Sequence, residues 1–233
     1  MYNEFMITSE TSLLLYLAPP ISMQNQRICY ALNEELKNKA HIKEVVVGMN
    51  SVYVLTSDLN YKELLDLQSE LNELIKHIKP LELNGKLVEI AVDYGGDLGL
   101  DLKVIAKAKG MSMSEFAKLH AEPIYDVYFI GFQPGFAYLG GLDIRLHTPR
   151  LSTPRLKIPA GSVGIGGAQT GIYPYQSPGG WNIIGNTKTK LFDINSDEPS
   201  LLKAGDKLKF VINSIKERLW KLQKFHQFLA FKI

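Results

Sequence analysis

Two arginines, each placed directly after a proline, stand five residues apart in Thr148-Pro149-Arg150-Leu151-Ser152-Thr153-Pro154-Arg155. Proline fixes its own φ and restricts the residue before it, so each guanidinium is offered from a stiffened backbone. A guanidinium is a planar fork of N–H donors that matches a carboxylate or a phosphate. The pair suits capture of an anionic ligand or an acidic partner, and ion pairs inside the fold are the other use. Downstream, the stretch from Ile158 to Pro174 is dominated by small residues. Small residues let a ligand reach backbone amides, and Gln169, Thr170 and Tyr173 add hydrogen-bonding groups. The stretch is not a phosphate-binding P-loop, because no Lys-Ser/Thr pair follows. It is not a dinucleotide fingerprint either, because Gln169 stands where the third glycine belongs.

Two further loops flank these. Ser177-Pro178-Gly179-Gly180-Trp181-Asn182 is a turn leading into a strand headed by Trp181. Gly131 to Gly141 ends a strand and turns at Pro134-Gly135, where proline presets φ and glycine supplies φ > 0. Phe132 and Phe136 in that turn either wall a pocket or plug a barrel. His120 and His147 are the histidines nearest the loops. His120 is a general base if it faces a ligand, and a structural residue at a helix end otherwise. Neither Ser162 nor Ser177 sits in the Gly-x-Ser-x-Gly setting of a hydrolase elbow. No histidine pair has metal-ligand spacing, and the lone Cys29 excludes a Cys-rich cluster or an internal disulfide, so no intrinsic metal is expected.

The elements that must carry these loops read in two styles. Before residue 85, strands and helices alternate. Glu4–Ser9 and Ser12–Leu17 read as strands, and Gln24–Lys37 as a helix with Ile28, Leu32 and Leu36 on one face. Lys43–Gly48 and Ser51–Ser57 read as a hairpin turning at Met49-Asn50. Tyr61–Lys79 reads as an amphipathic helix capped by Ser57-Asp58 and stopped by Pro80, with His77 on its polar face. Lys86–Val92 is a strand, followed by the acidic glycine loop Asp93 to Asp97. Leu100–Lys109 and Ser112–His120 are helices split by Gly110. They resemble a helix-turn-helix, but the second helix lacks the side chains that read base edges, so the pair is expected to cover a β structure. Beyond Tyr125, Asp126–Phe132, Ser162–Ile165, Trp181–Gly185, Lys190–Asp193 and Lys207–Ile212 read as short strands with Gly and Pro turns, the pattern of a barrel or sandwich. Ser214–Phe231 reads as a terminal amphipathic helix.

Composition limits the function classes. The chain has 233 residues, 45% of them hydrophobic, which is enough for a sizeable core and too apolar for disorder. A net charge of +2 gives no general attraction to nucleic acid or to an anionic membrane. It conceals a division: residues 1–85 carry 7 basic and 11 acidic side chains, and residues 86–233 carry 19 and 13. Leu13–Ala18 falls far short of the ~20 residues of a membrane span, and no basic flank of a signal peptide precedes it. A cytoplasmic protein is expected. Residues 131–185 hold 12 of the 19 glycines and 6 of the 11 prolines, so the special backbone chemistry gathers in the four loops.

Taken in order, these four loops resemble the allophanate hydrolase subunit 1 family. The blocks that carry the resemblance are Phe129 to Asp143, the two Pro-Arg pairs, Pro159 to Pro174, and Ser177 to Trp181. The resemblance implies an α+β chain: a small N-terminal α/β sandwich domain (residues 1–85), a cyclophilin-like β-barrel domain (86–213) and the extra helix (214–233). It implies a component of an ATP-dependent 5-oxoprolinase that opens 5-oxoproline to L-glutamate with partner subunits A and C, and that is inactive alone. The alternative within the family is a KipI-like inhibitor of a sensor histidine kinase. ATP is then used by the complex. A homo-oligomer is compatible with the sequence as well. The family's loop positions fall on His120, Phe132, Pro134, Gly135, Arg150, Arg155, Gln169, Thr170, Tyr173, Ser177 and Trp181. Of these, Arg150 and Arg155 are expected to stabilise developing negative charge, His120 to move a proton, and the rest to hold substrate. One departure stands out: Asn186 occupies the place of a family arginine, so a phosphate contact there is lost if relatives make it.

Overall fold

The computed structural model describes residues 2–216. In chain order the elements are β1 (Phe5–Ser9), β2 (Ser12–Tyr16), α1 (Met23–Leu36), β3 (Ile42–Gly48), β4 (Ser51–Thr56), α2 (Tyr61–His77) and β5 (Leu87–Gly95). Then come α3 (Leu102–Ala108), α4 (Met113–Ala121), β6 (Ile124–Ile130), β7 (Ala137–Gly140) and a 3-10 turn (Ile144–Leu146). The run ends with β8 (Arg155–Ile158), β9 (Ser162–Gly166), β10 (Gln169–Ile172), β11 (Ser177–Gly179), β12 (Asn182–Asn186) and β13 (Lys207–Lys216). The fold is α+β: β1-β2-β4-β3 form a four-stranded sheet, and β10-β7-β6-β13-β5-β12-β9 close into a barrel. No described helix is long and apolar enough to cross a membrane.

By contacts the chain forms two compact units, one of Met1–Val88, Ile124–Gly141 and Leu191–Leu208, the other of Glu89–Pro123, Leu142–Lys190 and Lys209 onward. In the first, alternation in β2 and β4 sends Leu13, Leu15, Val52 and Val54 to one face of the sheet. There they pack with Leu32 and Leu36 of α1 and Leu64, Leu67 and Leu71 of α2. Helix α2 starts at Asn60, not at Ser57-Asp58: the Asn60 side chain accepts from the Glu63 N–H at 3.0 Å, and Glu63 returns the bond to the Asn60 N–H. Asparagine three residues before glutamate satisfies two orphan helix donors reciprocally, which serine at 57 is too far away to do. Helix α1 is tied to strand β6 by buried polar groups, since the Tyr30 hydroxyl reaches the Tyr128 carbonyl at 2.6 Å.

The second unit corrects several expectations. Asp93, Tyr94 and Gly95 belong to β5, and Asp93 and Tyr94 pair with Asn186 and Gly185 of β12, so the expected acidic loop is strand at its start. The glycine-rich stretch is a hairpin, with Gln169 opposite Gly166 and Thr170 opposite Ile165. Glycines there admit close strand packing where a loop was expected. Lys190–Asp193, which enters the first unit at Leu191, is no regular strand where one was expected: Phe192 makes an isolated bridge to Ser200, flanked by backbone bonds from Leu201 to Leu191 and from Asp193 to Pro199. Ser214 to Lys216 continue β13 where a helix was expected, because β13 runs on beside Gly95 and Gly96, whose N–H donates to the Lys216 carbonyl at 2.8 Å. The rest of that expected helix, 217–231, lies outside the described residues.

Candidate functional site

The expected site residues separate into three settings. Phe132, Pro134 and Gly135 lie in the first unit, on the turn between β6 and β7. Gly135 takes φ +79°, as a Pro-Gly turn requires, and a Cβ there would meet the Phe192 Cβ at 2.8 Å. Phe136 is the plug: it is buried and stacks at a tilt on Tyr138, ring centres 5.0 Å apart. Phe132 is 61% exposed, holds a positive φ of 66°, and meets Phe136 edge-on. An exposed aromatic in the left-handed region is strained unless the surrounding turn dictates it. The two phenylalanines therefore do opposite jobs.

The remaining residues belong to the second unit, where two of them form a buried polar chain. His120, at the end of α4, is 0% exposed. Its Nδ1 lies 2.8 Å from the Tyr94 hydroxyl and its Nε2 lies 2.8 Å from the Thr170 hydroxyl. The Thr170 hydroxyl also donates to the Gly164 carbonyl at 3.0 Å. That bond uses its only proton, so Thr170 accepts from Nε2–H, and Nδ1 accepts from the Tyr94 O–H. For a neutral ring this connectivity sets the tautomer. Burial pushes the His120 pKa down from 6.5 to about 3, so the ring is neutral. Phe210 packs over it with ring centres 4.6 Å apart. Both ring nitrogens thus face protein groups. Tyr94 carries no signal in the sequence, because its segment reads as a loop.

The third setting holds the arginines, and it tells them apart. Arg155, at the start of β8, forms a bidentate pair with Asp101, at 2.9 and 2.7 Å. Its fork is filled from within the fold. Arg150 has no carboxylate partner among the described residues and is exposed. Its guanidinium lies over the Trp181 ring, 6.0 Å from the centroid, a cation–π geometry. Trp181 is 5% exposed and rests on Gly166, where a Cβ would come within 2.4 Å of the indole. Tyr173 meets the indole edge-on at 6.3 Å. The backbone around Arg150 is pinned on both sides. The Asn182 amide donates to the Pro149 carbonyl at 2.8 Å, and the Leu151 N–H donates to the Gly180 carbonyl at 2.7 Å. The result is a rigid aromatic platform bearing one guanidinium that still has donors to offer. Gln169 sits half-buried at the head of β10, and Ser177 begins β11 opposite Ile158. Asn186 uses its amide on the Ala160 carbonyl, 2.9 Å away. Among the described residues no cluster of three or more His, Cys, Asp or Glu is placed to hold a metal.

The family described as carboxyltransferase domain, subdomain C and D, matches residues 4–202. The chain belongs to that family. The B subunit of the 5-oxoprolinase of Haemophilus influenzae is 48% identical over 207 residues, covering 89% of this chain and 96% of the relative. The corresponding B subunit of Escherichia coli O157:H7 is 44% identical, covering 88% and 94%. Among solved structures, the urea amidolyase of K. lactis superposes with a TM-score of 0.77 at 19% identity, over 90% of this chain and 15% of that one. At that identity the likeness is one of fold. Membership in the carboxyltransferase family agrees with the resemblance read from the four loops, and the matched range takes in every one of them.

Proposed function

We infer that this chain is the B subunit of a 5-oxoprolinase, a component of a hydrolase complex. The observation that carries the reading is the 48% identity with a chain of that name across 96% of its length. The complex opens the lactam of 5-oxoproline to L-glutamate with subunits A and C, and its ATP supplies the phosphoryl group that activates the amide oxygen. No observation favours the kinase-inhibitor alternative. Within this chain the anion-binding work falls to Arg150. Its fork is uncommitted to an acid, its backbone is fixed by Pro149 and Asn182, and its guanidinium lies over the Trp181 ring. A preordered cation costs no reorganisation when negative charge develops on oxygen. Arg155 serves the scaffold through Asp101. Thr170 and His120 brace the β9–β10 hairpin that presents Gln169, while Tyr173 and Trp181 wall the platform.

The test is reconstitution: co-expression with subunits A and C, addition of ATP and 5-oxoproline, and assay of glutamate. A well-folded complex that forms no glutamate overturns the reading. In the active complex, Arg150→Gln is expected to lower turnover by ~10²-fold, in the range of a lost charge-stabilising donor, with the unfolding midpoint unchanged. Wild-type turnover in that variant removes Arg150 from the mechanism.

A further inference from the structure

We propose that Asp101 is the positioning residue of the Arg150–Trp181 platform, with Arg155 as its fixed counter-ion. The proposal rests on the ligand role given above to Arg150. Asp101 stands at the N-cap of α3, where an aspartate ordinarily accepts from the first free helix N–H groups, yet it makes no side-chain cap bond. Its carboxylate is turned elsewhere. One oxygen accepts from Arg155 at 2.7 Å, and the other accepts from Arg155 at 2.9 Å and from the Ile183 N–H at 2.6 Å. The Asp101 N–H in turn donates to the Ile183 carbonyl at 2.9 Å, so residue 101 clasps residue 183 from both directions.

Those attachments bracket the platform. Ile183 lies two residues after Trp181, and the residue between them, Asn182, is the one that holds the Pro149 carbonyl beside Arg150. Arg155 lies at the other end of the loop that carries Arg150, and it pairs across to Gly179, just ahead of Trp181. One carboxylate therefore fastens the strand after the tryptophan and the strand after the arginine. The ion pair is shielded, its side chains 28% and 14% exposed, and bidentate, the geometry in which such a pair fixes orientation. Asp101 is not a ligand contact, because its oxygens already accept three N–H groups. Its effect passes through Arg150 and Trp181, and a displacement of ~1 Å at such a group is enough to cost ~10²-fold in rate.

The chain has two tryptophans, Trp181 and Trp220, so Trp220→Phe leaves Trp181 as the sole reporter in the full-length protein. In that background Asp101→Asn keeps an acceptor for Ile183 but cannot pair both guanidinium nitrogens. Trp181 emission is expected to shift, and its quenching by acrylamide to rise at least twofold. In the reconstituted complex, Asp101→Asn is expected to lower turnover by about 10- to 100-fold. In an Arg150→Gln background the same change is expected to cost less than about twofold more, since residues acting as a unit are not additive. Arg155→Lys, which keeps the charge and loses the fork, gives the same readouts at smaller size and replaces Asp101→Asn if that variant fails to fold. Unchanged Trp181 emission overturns the proposal, and so does a full additive loss on top of Arg150→Gln. A wild-type complex without glutamate formation strikes the enzyme reading instead, and Trp181 emission still decides the positioning role.

Discussion

His120 shows how far a single residue can be read from its type. Its place at a helix end left two roles open, general base or structural residue, and the sequence offers no way to see that Tyr94, 26 residues earlier, caps one nitrogen while Thr170, 50 residues later, caps the other. The buried neutral ring has a measurable consequence. Its folded pKa is depressed to about 3 against 6.5 for an unperturbed histidine, so the unfolded chain binds the extra proton as pH falls below 6.5. The stability this residue contributes is complete above that value and is lost on acidification toward about 3. The slope within that window approaches ~1.4 kcal/mol per pH unit. Urea unfolding at pH 7.5 and 5 is expected to show a smaller pH dependence for His120→Gln than for wild type, and equal dependence would refute the burial argument. The two arginines teach the same lesson. In sequence they are twins, each behind a proline, and only an aspartate 54 residues away makes Arg155 a strut, while Arg150 has no carboxylate partner among the described residues.

At the scale of elements, legibility follows length and composition. The β3–β4 hairpin and the amphipathic helices α1 and α2 declare themselves, because six or more residues of regular burial leave a period to read. Strands β7, β8, β10 and β11 run three or four residues each and contain glycine or proline or lie beside them. They exist through ladder partners elsewhere in the chain, and local propensity argues against several of them. The glycine at 166 is a case where the ladder needs an absent side chain. Gly166→Ala places a methyl within 2.4 Å of the indole, so Trp181 must move. A loss of roughly 1–3 kcal/mol is expected, with altered Trp181 emission. Chemical denaturation and fluorescence check both. The α2 cap is a milder case: Asn60→Ala is expected to cost ~1 kcal/mol in the same assay.

At the scale of the whole chain, the fold class and the family are readable from four blocks of turn residues taken together, since the profile that matches 4–202 spans them all. The matched range ends well before Lys216. On the function proposed above, a chain stopped after Lys216, which keeps the whole of β13, is expected to form glutamate with its partner subunits at the wild-type rate, which the reconstituted assay measures directly.

The way the chain threads its units bears on how it is made. The sheet β1-β2-β4-β3 and both of its helices finish by His77, and among the described residues their shared core draws on nothing beyond Ile78. That layer can form while the ribosome is still decoding the rest. The first unit, however, takes its last segment from 191–208, and the second reaches past Lys209. Strands β6 and β7 must wait, unpaired at some edges, until nearly all of the message has been translated. At ~5–20 residues per second, that exposes open strand edges for several seconds. Slow codons near residue 85 would favour the early layer, whereas pauses between about 140 and 190 would prolong the hazard. Slower translation between about 140 and 190 is therefore expected to lower the yield of folded protein.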